Sequence, residues 1–314
     1  MRAFALDPFR SRTGIDRFSG KFSYGARRRT LVVRLDDAGE VLLAGPAVRA
    51  VARKSHVTFL TAPGGAEAAA LLPGVTDVLT WRAPWAGETP PALSAAEVAL
   101  LVKRMAAGRF DDALIFTSRG QSPLPTAMAL RLAGISHIAA MGSDVPGSLL
   151  DVWHDPAPEV AEPDRSLALV RAAGYELAPG DDGQLAVRRP LPATQWLTGK
   201  GPYVVAHAAH PAGSRRAERW SAAIADLIGG GHRVVLTGKA LEDGDPARSA
   251  PDTQVVDLAG RTDLLQLAAV VDRAQAVLAG STELENLAAA VCTPIARHPG
   301  FQVTGREPAG AGLG

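Results

Sequence analysis

The chain has 314 residues, 47% of them hydrophobic and 21% charged, which supplies apolar material for two ordinary cores. Lys plus Arg number 33 against 32 Asp plus Glu, a net charge of +1 that gives nucleic acid or an anionic membrane no general attraction. The single cysteine, Cys292, excludes an internal disulfide, and the absence of an apolar run of about 18 residues or of a secretory h-region points to a cytoplasmic protein with no membrane span.

Residues 1–29 show no periodicity and read as an N-terminal extension broken by Gly14, Gly20 and Gly25. The run Thr30 to Leu35 is a buried parallel strand closed by the turn Asp36 to Glu40. Val41 to Lys54 has helical spacing, and His56 to Leu60 is a second strand, so the segment is a βαβ unit. The alternation goes on. Helices are predicted over 66–72, 94–107, 125–133 and 165–173, and strands over 77–81, 112–116 and 137–141. Prolines and acids interrupt it over 146–163.

A second run of the same rhythm starts at Tyr203. Strands are predicted over 203–207, 233–238, 254–258, 276–280 and 293–296, and helices over 219–228, 264–272 and 283–291. Cys292 lies in an apolar run and reads as a small buried hydrophobe. Two α/β domains follow: a first Rossmann-like domain over 30–188, a linker over 189–202 and a second domain over 203–297. Residues 298–314 are Gly/Ala-rich and read as a disordered tail.

Several segments carry a resemblance. LVVRLDDAGEVLLAGPAVRAVA (31–52), QSPLPTAMALRLAGI (121–135), RVVLTGKALE (233–242), VVDLAGRTDLLQLAAVV (255–271) and NLAAAVCTP (286–294) stand in an order similar to glycosyltransferase family 9, the ADP-heptose heptosyltransferases of lipopolysaccharide assembly. The resemblance implies a GT-B fold, two Rossmann-like domains facing each other across a cleft. It implies a metal-independent, inverting transfer of a heptose-like sugar from a nucleoside diphosphate, with no cofactor and with an ADP- or GDP-linked donor.

Such a transfer needs a base for the acceptor proton and donors for the leaving diphosphate. The family's base is the Asp of a Gly-Asp-Val motif, and the matching residues are Gly39-Glu40-Val41, which places the role on Glu40. The competing reading of Glu40 is a charge favoured at a helix N-terminus. Asp36, Asp37, Arg119 and Gln121 complete the acceptor loops, with Asp37 also a candidate N-cap. On the donor side the resemblance implies Ser214, Arg215 and Arg216 for the phosphates, Gly238 and Glu242 for the ribose, and Thr262 for the base. His207 and His210 are further candidates for that loop.

The family's Asp-Thr-Gly-Pro-x-His signature is replaced by Ser281, Thr282, Glu283, Leu284, Glu285 and Asn286. Glu283 stands where a glycine admits the phosphate, and Asn286 can donate a hydrogen bond but carries no charge. The altered signature points to a specialised donor site and to natural-product assembly of an O- or S-glycoside. The family's closing helices after the Thr-Pro strand are not found here, which leaves the second domain short or closed by another segment or subunit. Partners are then a small-molecule donor and acceptor, with an oligomer left open. The alternatives are a non-catalytic GT-B homologue that binds a nucleotide sugar or a partner protein, and another cleft enzyme such as an epimerase or phosphorylase.

Overall fold

The computed structural model describes residues 27–155, 157, 159–208, 215–238 and 254–296, without the side chains of 208 and 215–218. The chain divides into two compact units, the first ending at Arg188 and the second starting at Arg189.

The first unit is a parallel sheet of β1 (Arg28–Arg34), β2 (Ser55–Thr61), β3 (Val75–Thr80), β4 (Asp112–Ile115), β5 (His137–Met141) and β6 (Val152–His154). Their order is β3-β2-β1-β4-β5-β6, the order of a dinucleotide-binding fold, so the direction of winding reverses between β1 and β4. Helices cover both faces, which is why Leu31, Val32 and Val33 are all fully buried and the strand reads as a continuous apolar run. Leu31, Val33, Leu60, Ile115 and Ile138 form the centre of the core on one of those faces.

The predicted helix over 41–54 is two helices, α1 (Ala38–Leu43) and α2 (Gly45–Ala52). Pro46 opens the second, where its missing N–H costs nothing, but inside one long helix it would break the ladder. The next helices are α3 (Ala66–Leu71), α4 (Ala95–Gly108), α5 (Leu124–Leu132) and α6 (Glu162–Ala172). Ser94 caps α4 by accepting a hydrogen bond from the Glu97 amide, the signal that Ser94-Ala95-Ala96-Glu97 carries in the sequence. Strand β6 lies in the proline-interrupted stretch and has only three residues, too few for a period. Helix α6 starts at Glu162, three residues before the predicted start, because Pro163 fits its first turn.

The turn over 179–183 is tied back to α2. Arg49 grips Asp181 with both ends of its fork, Nε to Oδ2 at 2.8 Å and Nη2 to Oδ1 at 2.7 Å. Arg49 and the Gly183 amide hold the Asp181 carboxyl below its ordinary value, against burial, which pushes the other way. The stability this gives is present above the unfolded-state value near 3.8 and is lost as pH falls below it. Asp181→Asn is therefore expected to lower Tm at pH 7 by an amount worth about 1 kcal/mol and to match the wild type in strong acid, which thermal unfolding against pH reads directly.

The second unit holds β7 (Val204–Ala208), β8 (Val234–Gly238), β9 (Val255–Asp257) and β10 (Ala276–Ala279), all parallel in the order β10-β7-β8-β9. This repeats the centre of the first sheet, with the reversal between β7 and β10. Helix α7 (Gln195–Thr198) precedes them, and α8 (Arg215–Gly229), α9 (Leu264–Asp272) and α10 (Thr282–Val291) follow β7, β9 and β10. Asp263 and Gln266 close a reciprocal capping box at α9.

Four expectations differ from the structure. The stretch 189–202 is bonded into the second unit, with Arg189 on Asp272 at 2.6 Å and Arg233 Nη1 donating to the Lys200 carbonyl at 2.9 Å. Helix α8 begins at Arg215 rather than 219, since its polar first turn hides its periodicity. The strand predicted over 293–296 is a single bridge between Val277 and Ile295. Cys292 is exposed, at the left-handed position that ends α10, with φ of 63°. The calls on residues 1–26, His210, Ser214, Glu242 and 298–314 lie outside the described residues, as do the side chains of Arg215 and Arg216. Among the described residues no helix is long and apolar enough to cross a membrane.

Candidate functional site

In an open α/β sheet the loops beyond the carboxyl ends of the two strands flanking the reversal diverge and leave a crevice. In the first unit those strands are β1 and β4. The loop after β1 carries Asp36 and Asp37, with Glu40 in the first turn of α1 just beyond, and the loop after β4 carries Ser118, Arg119 and Gln121.

The group that organises them is Arg34, the last residue of β1, whose side chain is 0% exposed. A guanidinium cannot shed its charge, so burying it demands anionic partners. Three are present. Nε donates to Asp36 Oδ2 at 3.1 Å, Nη1 to Glu162 Oε1 at 2.9 Å and Nη2 to Glu40 Oε2 at 2.9 Å. Nη2 also donates to Ser118 Oγ at 3.0 Å. Arg165, one turn along α6, donates to the other oxygen of Glu162. The cluster thus holds three carboxylates and two guanidiniums, one negative charge in excess.

The three carboxylates differ in what is left to them. Asp36 is used on both oxygens: Oδ1 accepts from Gln121 Nε2 at 2.7 Å, and Oδ2 accepts from Arg34 and from Ser118 Oγ at 3.0 Å. Glu162 is used by the two arginines and is 15% exposed. Glu40 is 46% exposed, with Oε2 on Arg34, so its carboxylate keeps a face toward solvent. Burial of the rest of the side chain pushes the Glu40 carboxyl above its ordinary value. Arg34 pulls it down, while the Asp36 and Glu162 charges raise it further. A carboxylate with a free face and an elevated pKa is suited to accept a proton.

The turn that leads into α1 and Glu40 needs close neighbours. A side chain on Gly65 would place its first carbon 2.8 Å from the Asp36 carbonyl and from Val41, and one on Gly64 would stand 2.5 Å from Asp37 Oδ1. Asp37 occupies the N-cap position of α1 but makes no side-chain cap bond there, and it is exposed. Arg119 is drawn away from the carboxylates, donating to the Val160 carbonyl at 2.9 Å. Of the acceptor-loop residues expected from the sequence, the structure joins Asp36 and Gln121 to Glu40 and leaves Asp37 and Arg119 outside the cluster. It adds Arg34, Ser118, Glu162 and Arg165. Beside Gln121 a hollow lined by Leu35, Trp85, Phe116 and Thr126 opens between the same two strands. Trp85 is fixed there by its indole N–H on Thr126 Oγ1 at 2.9 Å and by an edge-on contact with Trp81.

In the second unit the corresponding loops leave β7, β8 and β10. His207, Thr237 and Ala279 lie side by side across these strands. His207 Nδ1 pairs with Thr237 Oγ1 at 3.0 Å, and burial pushes the imidazole down to about 4, so it is neutral near pH 7. It can offer a diphosphate a hydrogen bond but no charge. Gly238 has φ of +105°, a conformation that favours glycine, and its carbonyl accepts from the Gly260 amide at 2.8 Å, which brings the segment before Thr262 alongside. Ser281 caps α10, accepting from the Leu284 amide at 3.3 Å. Thr282 and Glu283 are exposed in its first turn and Asn286 is half-buried. Burial raises the Glu285 carboxyl. The first turn of α10 therefore presents acids rather than cations. Arg215 and Arg216 stand in the first turn of α8, which follows β7. Among the described residues no group of three or more His, Cys, Asp or Glu is set to hold a metal ion.

Both units have counterparts among solved structures. The chain superposes on the E. coli ADP-heptose lps heptosyltransferase II with a TM-score of 0.65 at 18% identity, covering 85% of this chain and 83% of that one. A glycosyl transferase family 9 protein from Veillonella parvula gives 0.65 at 15% identity, over 88% and 82%. E. coli heptosyltransferase WaaC with ADP-2-deoxy-2-fluoro heptose gives 0.62 at 21% identity, over 85% and 87%. These likenesses establish an α/β fold with parallel sheets, that of the GT-B heptosyltransferases. No curated protein matches the chain. The profile of glycosyltransferase family 9 (heptosyltransferase) matches residues 127–296, more than half of the sequence, and the chain belongs to that family of glycosyltransferases.

Proposed function

We propose that the protein transfers a heptose-like sugar from a nucleoside-diphosphate donor, ADP-linked in the first instance, to a hydroxyl or thiol acceptor, with inversion and without a metal. Glu40 acts as general base. It takes the acceptor proton as the acceptor atom attacks the anomeric carbon, and the bond from that carbon to the diphosphate oxygen breaks with its electron pair leaving on the nucleotide. The observation that carries this reading is that, of the three carboxylates around Arg34, Glu40 keeps by far the largest solvent face, and burial of the rest of its side chain raises its carboxyl above the ordinary value. The ADP of the donor is supported by WaaC, a heptosyltransferase solved with ADP-2-deoxy-2-fluoro heptose. Cytoplasmic location and a role in natural-product assembly belong to the same proposal.

A second reading, a homologue that binds a nucleotide sugar without turning it over, is favoured by one observation. Glu283 and Glu285 lie at the start of α10, where a diphosphate would seek positive charge. Release of ADP from ADP-heptose separates the two. Transfer requires turnover that rises when an alcohol or thiol acceptor is added. A protein that binds the donor and never releases ADP is the non-catalytic homologue.

A further inference from the structure

Besides Arg165, the cluster contains two charged residues that no acceptor or donor role uses, Arg34 and Glu162. They come from β1 and from the first residue of α6, 128 positions apart. Resting on the reading of Glu40 as base, we propose that Arg34 is a positioning residue that fixes the Glu40 carboxylate for proton abstraction, and that Glu162 acts through Arg34 by holding its far nitrogen.

The geometry argues this in three steps. A half-exposed glutamate has three rotatable bonds and gains little from a lone surface contact. Here Oε2 meets a guanidinium that is fully buried, and that guanidinium is itself clamped at Nε by Asp36 and at Nη1 by Glu162. A planar fork held on two sides has one orientation, so Nη2 presents its N–H bonds in one direction. Glu40 Oε2 is thereby fixed and its remaining lone pairs are turned to one side. Glu162 is hydrogen-bonded to Arg34, and Arg34 to Glu40, so its hold on the orientation of the base runs through Arg34, while its charge acts on Glu40 across space. Its second oxygen is taken by Arg165, which keeps it from swinging away.

Charge supports the same division. The charged groups on the elements around Glu40 are Arg34 on β1, Asp36 and Asp37 before α1, Glu162 and Arg165 on α6, Arg119 on the loop after β4, turned to the Val160 carbonyl, and the exposed Glu67 on α3. Of these, Arg34 favours the ionised base, while Asp36 and Glu162 oppose it. Removing the Glu162 charge while keeping an oxygen for Arg34 to hold separates orientation from electrostatics. Glu162→Gln does this. Arg34→Lys keeps the charge but replaces the fork with a single point that cannot reach three partners at once.

The test uses the full-length protein and two readouts. The first is ADP release from ADP-heptose, compared as kcat and KM. The second is the titration of Glu40 itself, followed by carbon NMR on glutamate-labelled protein with no ligand present. Arg34→Lys is expected to lower kcat about 100-fold with little change in KM, since a displacement near 1 Å at the reacting group costs that much. Glu162→Gln is expected to fold, to lower kcat by less than Arg34→Lys does, and to lower the titration midpoint of Glu40. A merely structural role would leave that midpoint in place. If Arg34→Lys folds and retains wild-type kcat while Glu40→Gln is inactive, the positioning role is wrong and the base assignment stands. If Glu162→Gln leaves the midpoint unchanged, Glu162 does not act on Glu40. If Glu40→Gln keeps full turnover, the base assignment fails, and the positioning role falls with it.

Discussion

Glu40→Gln is expected to lower turnover of the sugar nucleotide by about 100- to 10,000-fold, the contribution typical of a positioned general base. The amide keeps an oxygen for Arg34 and the volume of the side chain, so donor affinity is expected to hold. The pH profile carries the more specific signature. Wild-type rate should rise with pH along a limb set by the elevated Glu40 carboxyl, and that limb should vanish in the variant. Stability should move the other way from most active-site damage. A carboxyl whose folded-state pKa is raised holds its proton more tightly folded than unfolded, so ionising it above that pH costs stability. Removing the charge is thus expected to leave Tm at pH 7 unchanged or higher. A variant that is inactive because it is unfolded would show the opposite, and thermal unfolding distinguishes them.

The second large effect is in the other unit and concerns acid. His207 is buried beside Thr237 and titrates near 4, against an ordinary value of 6.5. The sign follows from proton binding. Between those values the unfolded chain takes up a proton that the folded one refuses, so stability is lost as pH falls from about 6.5 to about 4 and levels off below. The difference is worth roughly 3 kcal/mol from a shift of this size. His207→Gln should flatten the stability curve of the second unit over this window, relative to the wild type measured alongside. Parallel curves for the two proteins would mean that the imidazole is hydrated and titrates normally. The neutral ring also bears on function. At pH 7 His207 carries no positive charge, so on the proposed function it would not supply a cation for a leaving diphosphate.

Much of the architecture is legible in the sequence because both sheets are parallel and buried. A strand such as Leu31 to Val33 is apolar on both faces, and each helix between strands repeats at its own period. What is missed is what has no period: three residues of β6, the break that Pro46 puts between α1 and α2, and the polar first turn of α8. The site divides in the same way. Asp36 and Gln121 stand on loops that follow strands and Glu40 in the first turn of α1; the resemblance at Gly39-Glu40-Val41 singles out Glu40 in the sequence, and Arg34 and Asp36 link the three in the structure. Arg34 left a signal that could have been used: a charge inside an otherwise apolar strand must have a buried partner, and acids follow at 36 and 40. Glu162 left none. It lies in a stretch of prolines and acids, and only the folded chain carries it across to β1. The donor positions follow the family's order, but Glu283 in place of a glycine shows that order alone does not define the chemistry at α10.

The most direct measurement is a calorimetric titration of the purified protein with ADP-heptose, run beside GDP-, UDP- and dTDP-sugars and the free nucleotides. Saturable binding of one base in preference to the others, with a rise in native stability of about 2.7 kcal/mol at a hundredfold excess over Kd, is the result that a working donor site requires. No binding and no stabilisation by any of them, in a protein shown to be folded, would contradict a sugar-nucleotide transferase and leave a family member that has kept the fold without the reaction.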